Sequence, residues 1–529
     1  MLKTSLHRGI FIFFLSTLCI GLTLGKIIMS ISMIGLFVNW FIEGNFKEKK
    51  KINDSRGYVP IILLAVFFLE LLWMVFTKEP VSGLSSLRTK LPLLVLPLVM
   101  GTSNTINNKE LKIIITSFLI GVVISSFIAY CVDLGWINKK INSGTSRDIS
   151  ITMSHIRYSI ILCFSILTIL HLTLKKKIKK WIAIILSIWI LILIYKMASL
   201  TAIIGLTTGL VAYAFYWFKQ EQTKNQKRIF YVFVSAFLFL VFSIFSIIND
   251  FYTIKNQLSF EELPEKTNLG EEYIHDKHNE ALENGYYIWR YIAENEVQNA
   301  WNERSDISFG ELDKKGQQLK FTLYRYLTSK GLKKDRTGVK QLSENEIRLI
   351  EKGATSSISY NALALRIREV LFEWENYKTT KNPNNHSFTQ RIFFGKIGLE
   401  IIKKAPIFGH GTGATKKQYA NYYSENKTLM KLDNQLLAHN QFLTQTINLG
   451  IFGAIIWIFL LILPLIKLKT DHRPLLNAFS LMMLIAFFSD DMLERQAGLT
   501  IFATIYYLFI FTSSDLELKN LFFLKKNTE

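Results

Sequence analysis

His439, Asn440 and Gln441 stand where one long polar stretch, Phe251 to about Thr444, meets the next apolar run. A neutral imidazole there can take a proton from a hydroxyl, because an ordinary histidine titrates near pH 6.5. The two amides beside it can orient the ring or hold a sugar. A plain interfacial histidine with satisfied hydrogen bonds would carry the same residue types, so the charges around it have to decide.

Those charges gather at one side of the apolar runs. His155 and Arg157 fall in Ser154-His155-Ile156-Arg157-Tyr158 at one end of a run, and Arg88 and Lys90 at one end of another. Arg391 precedes Gly409-His410-Gly411-Thr412-Gly413. A lone arginine at such a place usually snorkels. Several cations on a charge-poor side call for an anion, and guanidinium forks match phosphate oxygens. At a membrane surface the fitting anion is a lipid-linked phosphate or pyrophosphate. Gly409, Gly411 and Gly413 are expected in a tight turn that brings backbone amides to the site, since the run lacks the Gly-Lys-Ser/Thr ending of a nucleotide loop. In Ser489-Asp490-Asp491-Met492-Leu493-Glu494-Arg495 the consecutive aspartates are expected to point apart with no His/Cys set beside them, so no metal is expected. Glu494 and Arg495 are expected on the acceptor side, with the turn bonding to the arginines or to sugar hydroxyls.

The elements that must position these groups are membrane helices. Half of the 529 residues are apolar, with 40 Phe, 10 Trp and 21 Tyr, and mean hydropathy is +0.24. A span needs roughly 20 apolar residues. About twelve segments qualify, near 9–24, 26–42, 58–76, 88–101, 111–133, 153–173, 181–196, 198–217, 229–249, 445–467, 474–490 and 496–514. The formal charge of +21 is distributed as a topology signal. Alternate short loops and the termini hold about 24 Lys/Arg, including Lys47 to Lys51, Lys175 to Lys180, Lys219 to Arg228, Lys467 to Arg473 and Lys519 to Lys526, against about nine on the opposite side. Both termini are therefore expected in the cytoplasm and the long loop outside, with the basic excess meeting anionic lipid rather than nucleic acid. The first apolar run leads directly into another and lacks a small-residue cleavage site, so it reads as a retained helix. Cys19, Cys131 and Cys163 all lie in or beside spans, which leaves the outer loop without disulfides.

The expected fold is an all-α polytopic membrane protein of about twelve transmembrane helices, with one large, mainly helical outer domain between the ninth and tenth. The divisions are 1–250, an N-terminal membrane domain of about nine helices; 251–444, the outer loop domain; and 445–529, a C-terminal membrane domain of about three. Within the loop, Tyr286 to Ile292 and Leu319 to Leu327 show helix-spaced apolar residues. Ser343-Glu344-Asn345-Glu346 has the form of a capping box, and Leu363 to Trp374 and Ile392 to Ile402 are amphipathic. A helix is expected to begin near Asp433-Asn434 and carry His439 into span ten. The aromatic content of this domain suits walls for a substrate.

With these features in place, the chain resembles the O-antigen ligase and O-antigen polymerase superfamily of bacterial polytopic glycan transferases. The resemblance is carried by the twelve-span layout, the large outer loop before the last spans, Pro406-Ile407-Phe408-Gly409-His410-Gly411-Thr412-Gly413, and His439-Asn440-Gln441-Phe442-Leu443 followed by Gly450-Ile451-Phe452-Gly453. It implies a metal-independent, inverting C-type glycosyltransferase in the bacterial inner membrane, without a cofactor. Such an enzyme moves a glycan from undecaprenyl pyrophosphate to a lipid A–core or similar acceptor on the periplasmic face. Carried over, His439 activates or positions the acceptor hydroxyl, while Arg157 and Arg391, with Arg88 and Lys90 in support, hold the donor pyrophosphate. Asn440, Gln441, His155, Glu494 and Arg495 orient the base or meet the acceptor. One departure stands out: many family members have Ser-Arg at the outer start of the eighth span, and this chain has Ser199-Leu200-Thr201. Lys196 is one substitute for that arginine; a different hold on the pyrophosphate is the other.

A polymerase joining repeat units, or a transferase to protein acceptors, would use the same layout. A polysaccharide transporter would show related halves and polar breaks at mid-membrane, whereas here the spans are apolar at their centres. A non-catalytic scaffold would tolerate loss of His439.

Overall fold

The computed structural model describes residues 2–139, 149–197, 199–221, 223–255, 258–384, 386–426, 428, 430–467 and 472–512. Among these, helices dominate, and the only paired strands are Leu282–Glu283 and Tyr286–Tyr287. Nine helices among the described residues are long and apolar enough to cross a membrane: Ser5–Leu24, Lys26–Glu43, Val59–Phe76, Pro80–Thr102, Asn108–Asp133, His155–Leu174, Leu200–Lys219, Lys224–Tyr252 and Gln441–Ile466. Arg473–Ser489 and Gln496–Phe511 are apolar but shorter, and the 17-residue Lys180–Lys196 helix occupies the one remaining expected segment. The chain is an all-α, multi-pass membrane protein. A helix closes every backbone hydrogen bond within one segment, which lipid demands. The basic run Lys519 to Lys526, residues 468–471 of the loop beginning at Lys467, and the end of the last expected span lie outside the described residues.

The helices divide by what they face. His155–Leu174 is buried over most of its length and packs against Leu200–Glu221 and Arg473–Ser489. Gly209 allows the close approach there, since a Cβ would come within 2.9 Å of the Met482 sulfur. Lys224–Tyr252 stands at the other extreme. Its apolar window is nowhere buried within the chain, and Phe239, Phe242 and Phe245 project outward, a surface that lipid covers at no cost.

One interlock joins the segment after Lys404 to the membrane helices. In the helix Gln441–Lys467, Gly450 takes φ 67° and ψ 178° and interrupts the helical path. The backbone of residues 406–411 fills the break. His410 and Gly411 donate their N–H groups to the carbonyls of Ile447 and Asn448 (both 2.9 Å), while Ile451 and Phe452 donate to Pro406 (2.8 Å) and Ile407 (3.2 Å). Groups that a broken helix would leave unpaired are thereby satisfied. Only glycine fits these contacts: a Cβ on Gly450 would lie 2.1 Å from the Ile407 oxygen, and one on Gly411 would lie 2.4 Å from the Thr77 backbone. The Thr77 and Ser82 hydroxyls donate to the carbonyls of Thr412 and Gly413, and the Trp73 indole donates to Phe408, binding the loop to the third and fourth apolar helices.

The polar stretch has two apolar clusters. One surrounds Trp301, Leu323, Tyr324 and Leu327; the other joins Phe394, Ile397, Ile401 and Tyr419 to Ile447 of the membrane helix. The expected helices appear at Leu319–Ser329, Glu344–Glu351, Ala362–Thr380 and Ser387–Lys404. Ser343 and Glu346 form the capping box in both directions. Tyr286 to Ile292 is not helical. Asn284 and Gly285, with φ of 54° and 81°, turn the chain between Leu282–Glu283 and Tyr286–Tyr287. An Asn-Gly pair is the stronger local signal, because its positive-φ tolerance suits a two-residue hairpin.

Gly450→Ala is expected to lower folding stability by about 3 kcal/mol, from strain and the clash with Ile407. Gly9→Ala, where a Cβ meets nothing within 4 Å, should change it by less than about 0.5 kcal/mol. Thermal midpoints of the two purified variants check this.

Candidate functional site

His439 is not on a helix. A short 3-10 turn at Leu432–Asn434 ends well before it, and the next helix starts at Gln441. His439 itself takes φ 47°, a left-handed conformation that costs a non-glycine residue energy. Asn440 ends that turn by capping the helix, its Oδ1 accepting from the Leu443 N–H (3.0 Å) and its Nδ2 donating to the Phe488 carbonyl (3.3 Å). Helix formers cannot continue backwards through this position, so the expected helix from Asp433 gives way to a turn that aims the imidazole.

The ring is aimed at the Asp490–Asp491 turn. Its Nδ1 lies 3.7 Å from Asp490 Oδ1 and 3.8 Å from Asp491 Oδ1, and Phe394 stands beside it at 6.1 Å between ring centres. About a third of the histidine side chain remains exposed, against 6% and 4% for the two aspartates. The expectation that consecutive aspartates would diverge is therefore corrected. Asp490 leaves the Arg473–Ser489 helix in an extended conformation, and Asp491 then opens the short turn Met492–Glu494, which brings both carboxylates to one side. The ligand atoms of His439, Asp490 and Asp491 all lie within 4.8 Å of one another, close enough to surround a metal ion. A cation is already supplied there by the protein: the Arg157 guanidinium lies 2.7 Å from Asp490 Oδ2.

The electrostatics of the two aspartates diverge. Burial alone would raise Asp490, but His439 and Arg157 beside it outweigh that and hold it below the usual carboxylate range. Asp491 is pushed up by burial and by the negative charge of Asp490. Asp490 thus stays an anion while Asp491 retains a proton more readily. With Nδ1 turned toward the carboxylates, Nε2 is the ring nitrogen not directed at them.

Arg391, on the helix Ser387–Lys404, lies within electrostatic reach of Asp490, Arg366 and Glu373, and burial lowers its pKa below the ordinary arginine value. Its Nη1 donates to the Ser387 carbonyl, and its buried Nε has no protein partner. His439, Arg157 and Arg391, far apart in sequence, therefore converge around one pair of aspartates.

Other expected site residues fall elsewhere. Lys90 is buried and pairs with Glu70 (2.8 Å) and Glu494 (3.3 Å), so its ammonium offers no face to a pyrophosphate; two carboxylates compete for it. Gln441 is fully buried, accepting from the Leu493 N–H (2.7 Å) and donating to Glu494 (3.3 Å), which removes both from sugar contact. Arg88 and Arg495 are exposed, and His155 is half-buried at the first residue of its helix. Gly409, Gly411 and Gly413 do form tight turns, but the Gly409, His410 and Gly411 N–H groups are spent on the Ala405, Ile447 and Asn448 carbonyls. These amides lock a helix break and do not approach the site. Lys196 pairs with Asp133 at 2.6 Å, while Thr201, in the Ser199-Leu200-Thr201 segment, donates to Ser489 next to the aspartates. Asp490 and Asp491 are the residues that sequence reasoning undervalued. Their signal was the one carboxylate pair closing an apolar run.

The O-antigen ligase family model matches residues 353–458, the part of the chain that contains Arg391, the Gly409–Gly413 loop, His439 and Gly450. This match supports the O-antigen ligase superfamily, with a glycosyltransferase-like, glycan-processing function of the ligase or polymerase type. Compared with curated proteins, the sequence has no significant match.

The pKa directions set a sign. A carboxyl raised in the folded state binds its proton more tightly than in the unfolded chain, so its stabilising contribution is present at low pH and lost as pH rises through the folded value. Asp491→Asn should therefore remove a decline in thermal midpoint that the wild type shows as pH is raised from about 4.5 to 7.5. Asp490 works in the opposite direction, its contribution being lost as pH falls. Asp490→Asn also leaves the largely covered Arg157 guanidinium without its partner and should cost about 3 kcal/mol at neutral pH. Melting curves of both variants across that range give the test.

Proposed function

We propose that this protein is an O-antigen ligase-type glycosyltransferase that moves a glycan from undecaprenyl pyrophosphate to a lipid A–core or similar acceptor. The observation that carries the reading is the convergence of His439 with Asp490, Asp491, Arg157 and Arg391. His439 Nε2 takes the proton of the acceptor hydroxyl as that oxygen attacks the anomeric carbon. The bond from that carbon to the pyrophosphate oxygen breaks, its electron pair leaving with the pyrophosphate, and displacement from the opposite face inverts the centre. Asp490 and Asp491 hold Nδ1 and offset the imidazolium charge as it forms. Arg391, through its unpartnered Nε, and the face of Arg157 turned from Asp490 stabilise the leaving pyrophosphate. The protein's own cations carry that charge, in keeping with a reaction that uses no metal.

The reading places the chain in the bacterial inner membrane with twelve spans. Both termini are cytoplasmic by the distribution of Lys and Arg. Residues 251–444 form a periplasmic domain between an N-terminal membrane domain, 1–250, and a C-terminal one, 445–529. There the site meets lipid-linked donors and envelope acceptors.

Deletion of the gene in its host, followed by complementation, tests this. Without the gene, lipid-linked polymer should accumulate while the lipid A–core stays bare, and wild type should restore the decorated core. His439→Ala should lower transfer by about 10² to 10⁴-fold, and Arg157→Ala or Arg391→Ala should do so while the protein still accumulates. A core carrying single repeat units would reassign the enzyme as a polymerase. Full rescue by His439→Ala would remove the proposed base.

A further inference from the structure

The transfer chemistry proposed above makes no use of Lys90, Glu70 or Glu494, yet they form the most deeply buried charge cluster near the site. Lys90 and Glu70 are each only 1% exposed, and Glu494 is 16% exposed. A lysine between apolar helices is costly unless its partners are close. Three well-packed apolar side chains would fill this space with at least equal stability, so stability alone does not account for the cluster.

Its connections show what it holds. Glu494 accepts from Gln441, whose own carbonyl accepts from the Leu493 N–H. Gln441 lies two residues after His439, and Glu494 three residues after Asp491. On the other side, Thr412 donates to the Glu70 backbone carbonyl (2.6 Å) and reaches its carboxylate (3.2 Å). Thr412 sits between Gly411, whose N–H bonds to Asn448 at the break before Gly450, and Gly413, whose carbonyl accepts from Ser82. A single ammonium thus joins the third and fourth apolar helices, the glycine loop, the turn after Asp491 and the residue that follows the His439 turn.

We infer that Lys90, Glu70 and Glu494 are positioning residues: a buried ion-pair strut that holds the His439 turn against the Asp490–Asp491 turn and registers both on the glycine loop. The inference rests on reading the His439 turn as the transfer site. Displacing a base by about 1 Å costs on the order of 10²-fold in rate, so this link matters to turnover without touching substrate.

The test uses the full-length protein in lipid nanodiscs, with kcat and donor KM measured beside hydrogen exchange. The variants are Lys90→Met and Glu494→Gln; the second keeps the Lys90–Glu70 pair and serves alone if the first does not accumulate. Expected for both is a fall in kcat of about 30-fold, with donor KM within about twofold. Exchange should quicken in peptides covering 436–444 and 489–496, while the Leu319–Ser329 helix keeps its wild-type rate. Unchanged kcat per folded molecule, or exchange that rises equally in Leu319–Ser329, would overturn the inference and leave a merely structural cluster. If wild type transfers no glycan but exchange still rises only in those two peptides, the strut stands and the transferase reading fails.

Discussion

Much of this structure depends on how the chain treats the interruption of one membrane helix at Gly450. Breaking a helix in or near lipid exposes amides and carbonyls that nothing apolar can satisfy. The protein satisfies them with its own backbone, laying residues 406–411 into the gap in a reciprocal exchange of hydrogen bonds. Because that loop is also bonded to Trp73, Thr77 and Ser82, the repair fixes the polar stretch onto the third and fourth apolar helices. His439 lies two residues before the same broken helix, which ties its turn to the repair.

Around that scaffold, charge is organised in two layers. The inner one is open to solvent on a single side: a histidine faces two aspartates, one of them held as an anion by an arginine. The outer one is closed, with Lys90 between two glutamates. Unpaired, any of these groups would be expensive in so dry a setting; paired, each fixes the direction of its neighbour. The contrast in exposure between His439 and the carboxylates behind it gives the cluster a buried side and an open side.

The sequence was informative where one residue type has one physical use. The apolar runs became helices, the Ser343 capping box formed as written, and His439 and Arg157 both lie against Asp490, with Arg391 in its electrostatic range. It misled where two signals competed. Helix-spaced aromatics over Tyr286 to Ile292 outweighed the Asn284-Gly285 turn, although the turn dictates backbone geometry and the aromatics only burial. Adjacent aspartates diverge on a regular helix or strand, but here the chain changes conformation between them.

By itself, then, the sequence determined the membrane class and singled out the histidine at the edge of an apolar run, because hydropathy, charge and side-chain chemistry are local properties. Tertiary structure alone decided which cations face the site and which are consumed. Arg157 and Lys90 look alike as isolated cations beside apolar runs. Lys90 is closed off because Glu70, 20 residues earlier, and Glu494, some 400 later, converge on it. Among the described residues Arg157 meets one carboxylate, Asp490, and its Nε has no protein partner. That difference is one of spatial partners, set by how the helices pack, and no local reading of the chain contains it.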